Sequence, residues 1–175
     1  MTGGDDRIRP GDELFPVTVV VCPESVLMSL KPQFYDLIWQ GSKTFEFRRR
    51  FPEGRPVRWF VYLAAPVSRL TAVIDLAPAQ AGPPKEIAAI AERMRPGNGA
   101  SVMDYVKDTP RAYAIPILAV TEYPGVSQAD LAAELGKFHP PQGYVRLTRH
   151  RPLRALCEKM IAASPVREMR VRPPA

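Results

Sequence analysis

The sequence predicts an α+β fold: a small β-barrel of five or six short strands with crossing and flanking helices. Three observations lead there. Several segments alternate apolar and polar residues with a period of two, yet no regular βαβ rhythm connects them, which argues against a doubly wound sheet. Twenty prolines are scattered along 175 residues and break the chain into short elements with hard turns. Apolar residues make up 46% and charged residues 24%, the balance of a packed domain rather than a disordered chain.

The elements follow in order. Residues 1–12 read as a disordered tail, and residues 13–163 as one domain. Leu14–Val21 is β-branched, a strand that Pro16 confines to an edge or a strand start. Ser25–Leu30 is a short strand. Pro32 opens a helix that runs to about Gln40, with Phe34, Leu37 and Ile38 on one face, and Gly41 stops it. Thr44–Arg50 alternates as a half-buried strand: Phe45 and Phe47 point one way, and Thr44, Glu46 and Arg48 the other. Val57–Ala65 is a central strand ended by Pro66. Arg69–Leu76 alternates again, with Leu70, Ala72, Ile74 and Leu76 inward and Arg69, Thr71, Val73 and Asp75 outward. Lys85–Met94 is an amphipathic helix, broken by Pro96-Gly97-Asn98-Gly99 before a short helix that Ser101 caps and that runs through Lys107. Arg111–Tyr123 is strand material around Pro116. Ser127 caps a helix over Gln128–Leu135, Gly143–Thr148 is a short strand, and Pro152–Ala163 is the last helix. Residues 164–175 read as a loose basic tail.

Charge is regional. The chain carries 24 Lys+Arg and 18 Asp+Glu, a net +6. Lys43–Arg58 holds six basic and two acidic residues, and Tyr144 to the C-terminus eight basic and two acidic, so the rest of the chain is net negative. Arginine dominates both segments, and its planar fork suits phosphate. A polyanion partner follows, nucleic acid before others, against the alternative of a merely solvated arginine surface. No apolar run is long enough for a membrane span, and the polar, acidic start lacks a signal-peptide pattern, so a cytoplasmic protein with no membrane partner is expected. Cys22 and Cys157 are expected to be buried thiols, because neither has a close partner for a disulfide or a metal. The two histidines, His139 and His150, lack ligand neighbours. No metal and no cofactor is expected: phosphate-loop, GxSxG and dinucleotide motifs are all missing.

Leu27–Arg50 carries the functional signal. Lys43 emerges after the Gly41 stop, and Glu46 and Arg48 stand two apart on one face of the next strand. An amine, a carboxylate and a guanidinium beside a helix end can hold a phosphate or a base edge; the bland alternative is a ladder of surface salt bridges. Arg49, Arg50, Arg149 and Arg151 are candidate backbone contacts. Tyr62 is a candidate stacking surface or a core residue, Trp39 and Trp59 are core residues before they are stacking walls, and Asp75 is a candidate second carboxylate or a plain exposed one.

The stretch Gly41-Ser42-Lys43-Thr44-Phe45-Glu46-Phe47-Arg48 resembles the GxKxxExR signature of ASCH domains, in the PUA-like superfamily. Ser29-Leu30-Lys31-Pro32 resembles that family's strand-to-helix entry, Tyr62-Leu63-Ala64-Ala65-Pro66-Val67 its strand ending in small residues and Pro-Val, and Pro140-Pro141-Gln142 a late segment of bacterial single-domain members. The likeness runs from about residue 24 to 148. It implies a β-barrel with a cleft beside the helix that precedes the signature, and an RNA- or nucleic-acid-binding function. Some members of the family look like ribonucleases, and one branch deacetylates acetylcytidine with a Lys, a Thr and a Glu. Here Glu46 stands where that branch has its nucleophilic Thr, and Thr44 is one residue after Lys43. Two function classes follow. One is a module binding single-stranded or modified RNA around Lys43, Glu46 and Arg48. The other is a hydrolase of RNA or a modified nucleoside, with Lys43, Glu46 and Thr44 as its machinery. The oligomeric state is not legible.

Overall fold

The computed structural model describes residues 21–172. The N-terminal tail over residues 1–12 and nearly all of the Leu14–Val21 strand lie outside the described residues. The element order is β1 (Glu24–Leu30), α1 (Pro32–Trp39), β2 (Phe45–Arg48), β3 (Val57–Leu63), β4 (Arg69–Leu76), β5 (Gln80–Gly82), α2 (Pro84–Met94), α3 (Gly99–Val106), β6 (Ala112–Ser127), α4 (Gln128–Leu135), β7 (Tyr144–Arg146), a 3₁₀ turn (Leu147–Arg149), α5 (Arg151–Ile161) and β8 (Arg167–Arg170). The strands follow the path β2-β6-β4-β3-β1-β7, with β5 and β8 also on β6. Among the described residues, only β1 and β3 pair in parallel. This is a curled half-barrel with helices around it, an α+β PUA-like fold. Among the described residues, no helix is long and apolar enough to cross a membrane.

The curl turns on β6. Its first residues, through Pro116, pair with β2 and β5, and its later residues with β4 and β8. Pro116 offers no N–H to the ladder, so it fits the corner, where its carbonyl accepts from Ala77 N at 3.0 Å. Three apolar clusters fill the molecule. The inside of the curl holds Val26, Met28, Trp59, Val61, Ala72, Ile74, Ile115 and Ile117, plugged by Tyr35 and Ile38 of α1. Leu27, Phe60, Tyr62, Leu70 and Val73 lie outside, under α4 and α5. Phe45 and Phe47 pack under α2 and α3.

These covering helices correct the simplest reading of the strands. The outward residues Thr71 and Val73 are buried. Leu70 was expected beside Ala72 on the inner face but lies on the outer one. Opposite the single step from Val61 to Tyr62 on β3, β4 moves two residues, from Ala72 to Leu70, and the extra residue, Thr71, reverses the side-chain direction. On α1 the inward face is Tyr35 and Ile38 rather than Phe34, which is exposed. Tyr35 is drawn inward because its hydroxyl donates to Glu122 at 2.6 Å.

The basic tail is also not loose where it is described. Arg167–Arg170 pairs with Ala119–Glu122 of β6 as β8. Arg167 reaches Glu122 at 2.8 Å and stacks 4.0 Å over the Trp39 ring, and Val171 is buried.

Candidate nucleic-acid interface

The Gly41 turn sets the site. Its φ of 74° is the left-handed conformation that glycine adopts without strain. The carbonyl of Leu37 then accepts the amides of both Ser42 (2.9 Å) and Lys43 (3.0 Å), which aims the chain straight into β2. Lys43 folds back along it, with Nζ donating to the Phe45 carbonyl at 2.8 Å and lying 3.0 Å from Glu46 Oε2. The aromatic rings of Phe34 and Phe47 approach the ammonium at 5.7 and 5.8 Å.

Glu46 is flanked by cations on both oxygens. Arg48 Nε lies 2.8 Å from Oε1, a charge contact rather than an aligned hydrogen bond. Arg48 is held in turn by the Ser29 carbonyl at 3.0 Å and by Trp59, whose ring centre is 5.3 Å from the guanidinium. Trp59 is anchored through Nε1 to the Met28 carbonyl at 3.0 Å. The alternation of β2 is as expected, with Phe45 and Phe47 on one face and Glu46 and Arg48 on the other. The strand is not half-buried, however. The side chains of Lys43, Glu46 and Arg48 are only 12%, 6% and 14% exposed, because α1 and Trp59 cover their face. Burial alone would push the Glu46 carboxyl up, but Lys43 and Arg48 outweigh it and hold the pKa below its ordinary value of 4.5. Glu46 is therefore an anion at neutral pH, locked between two cations.

The remaining candidates separate. Thr44 is buried, and its hydroxyl has no hydrogen-bond partner among the described residues, Lys43 and Glu46 included. Arg49 turns to α3, donating to the Tyr105 carbonyl at 2.6 Å and stacking 4.5 Å from its ring. Tyr62 is 1% exposed, with its hydroxyl on Gln128 (2.9 Å) and its ring against Phe138. It is a core residue of the outer cluster, not a stacking surface. Asp75 pairs with Arg58 on the neighbouring strand at 3.1 Å, away from Glu46. Arg151 is exposed at the start of α5, where the preceding His150 caps the helix through Nδ1. Cys157 is buried, whereas Cys22 is exposed.

Two candidates do converge. Arg50, just past β2, and Arg149, in the 3₁₀ turn before α5, line one hollow of about 410 Å³ together with Gly143, Tyr144 and Arg146. Tyr144 and Arg146 were counted in the basic segment but not singled out. The legible signal was their spacing: two residues apart on one strand, an aromatic and an arginine share a face. The Arg146 guanidinium sits 5.8 Å from the Tyr144 ring and its Nε 2.8 Å from Glu24.

No family model and no curated protein matches the chain. Solved structures do. The ASCH protein from Zymomonas mobilis is 25% identical with a TM-score of 0.62, over 76% of this chain and 95% of that one. Two mutants of the same protein give 25% and 24% identity and TM-scores of 0.65 and 0.64, over 78% and 77% of this chain and 96% and 97% of theirs. The similarity spans nearly the whole of those proteins. With the Lys43–Glu46–Arg48 network at the end of α1, set in a curled half-barrel of this order, the chain is similar in fold to these ASCH-domain proteins.

Proposed function

We propose that this protein binds RNA, in the hollow lined by Arg50, Tyr144, Arg146 and Arg149. The carrying observation is the convergence of Arg50 and Arg149. They come from the two basic segments, far apart in sequence, and they close on one concave surface with an aromatic side chain in it. Guanidinium groups supply phosphate contacts, and Tyr144 supplies a face for an unpaired base. ASCH and PUA-like domains are RNA-binding in general, which points the same way.

In this reading the Lys43–Glu46–Arg48 network is the rigid support of the β2 end from which Arg50 emerges. The hydrolase alternative has less support. A general acid needs a raised pKa, and that of Glu46 is lowered. Thr44 offers no hydroxyl to either charged partner.

The test is binding of a single-stranded RNA oligonucleotide by Arg50→Ala, Arg149→Ala and Arg151→Ala. The first two should each weaken binding about tenfold, the scale of a lost charge-assisted contact, and the third should not. Equal affinity of all three with the parent protein would overturn the assignment.

A further inference from the structure

The hollow does not end at Arg146 and Arg149. Both side chains also line a second cavity of about 530 Å³, on the side of β1 and α5, bounded by Cys22, Ser25, Arg55, Thr148 and Arg154. Each cavity lies within the roughly 300–1,000 Å³ that encloses a small ligand, so each has room for one nucleotide. The shared wall is stiff. Arg146 is tied to Glu24 and leans on Tyr144, and Arg149 sits in the 3₁₀ turn. Across both cavities the lining carries five arginines against two glutamates, Glu24 and Glu158, which pair with Arg146 and Arg154, so the lining is net positive. The second cavity has an apolar floor, Phe60 and Leu147, and two hydroxyls, Ser25 and Thr148.

We infer that the two cavities form one groove for a single strand of at least two nucleotides, with the linking phosphodiester on Arg149 between them. This rests on the RNA-binding reading and specifies its ligand. One base lies against Tyr144. The next nucleotide enters the second cavity, where its base meets the Phe60–Leu147 floor, Arg55 takes its phosphate, and the hydroxyls read its ribose 2′-OH. A duplex is excluded because its bases stay stacked and cannot be splayed into separate hollows.

The test compares uridine monophosphate, di- and triuridylate, and a blunt RNA duplex at low salt. Affinity should rise about tenfold or more from the mononucleotide to the dinucleotide, the scale of one added stacked base with its phosphate, and the duplex should bind more weakly than the triuridylate. Arg55→Ala should lower dinucleotide affinity more than mononucleotide affinity. Cys22 gives an independent readout. It is exposed in the second cavity, while the Cys157 thiol is buried and pushed up to about 12, so iodoacetamide reports on Cys22. Triuridylate should slow its alkylation, and uridine monophosphate should not. If affinity is already complete with one nucleotide, and neither Arg55→Ala nor Cys22 alkylation senses the longer strand, the groove is refuted while RNA binding stands. A duplex that binds more tightly than the single strand refutes it too. If no RNA of any length binds, the functional reading itself falls.

Discussion

Both carboxylate oxygens of Glu46 lie within 3.0 Å of a cation, and all three side chains are largely withdrawn from water. Such a network owes its stability to completeness. Removing one member leaves buried charge uncompensated, at a cost of about 3–5 kcal/mol. Glu46→Gln should therefore lower the melting temperature by roughly 10 °C, read by thermal unfolding at neutral pH. Lys43→Ala should also destabilise. Its position after a helix stop suggests a solvent-reachable side chain, but in the fold it is one of only two cations holding Glu46. The sign of the pH effect follows from the depressed Glu46 pKa. Its contribution is complete above the ordinary value of 4.5 and is lost as pH falls below that toward the folded-state value. The gap in melting temperature between the parent and Glu46→Gln should hence be largest above about pH 5 and shrink on acidification. A constant gap down to pH 2 would contradict the ion-pair account.

Strand β6 sets two expectations at the next scale. Gly125 and Gly41 have nearly the same backbone angle, φ 78° and 74°, but different surroundings. A Cβ on Gly41 meets nothing within 4 Å, whereas one on Gly125 would lie 2.5 Å from the Leu70 carbonyl oxygen and 2.9 Å from the Thr71 Cα. Gly41→Ala should cost only the left-handed strain, about 1–2 kcal/mol. Gly125→Ala should cost clearly more and disrupt the bulged β4–β6 pairing. Equal melting temperatures for the two variants would show that the close approach is not decisive. The second expectation concerns β8. Deleting residues 164–175 uncovers the edge of β6 and removes the buried Val171 and the packed Met169 from the inner cluster. Losing that burial costs about 2–4 kcal/mol, or some 5–15 °C in melting temperature. A tail that merely touched phosphates would leave the melting temperature unchanged.

At the scale of the whole molecule, the net +6 matters less than where the fold gathers it. Arg50, Arg146 and Arg149 face one hollow, while Arg49, Arg58 and Arg167 are spent on Tyr105, Asp75 and Glu122. RNA affinity should fall with salt, with a log–log slope of about −0.7 for each phosphate contacted on a single strand. Arg50→Ala and Arg149→Ala should each flatten that slope by about the same amount, and Arg49→Ala should leave it unchanged. A slope indifferent to Arg50 and Arg149 would place the polyanion elsewhere on the surface.

What the sequence determined by itself is local. Pro32 and Gly41 bound α1, the period-two alternation sets the two faces of β2, and Ser127 caps α4 through the Asp130 amide. Such signals act through backbone torsions and neighbours within a few residues, so they survive without knowledge of the rest of the chain. The signature of Lys43, Glu46 and Arg48 was legible for the same reason: all three lie on one turn and one strand. What the tertiary structure decided is long-range. Whether the polar face of β2 meets water depends on α1 and Trp59, and their cover turns a surface ladder into a buried network. Whether Leu70 faces in or out depends on how β4 registers against β3. Only chain crossings bring Arg50 to Arg149 and leave Arg151 outside, because an arginine's role depends on which distant partner its long side chain meets. The same holds for residues 167–170, which carry charge enough to read as a solvated tail until the open edge of β6 gives their backbone a partner.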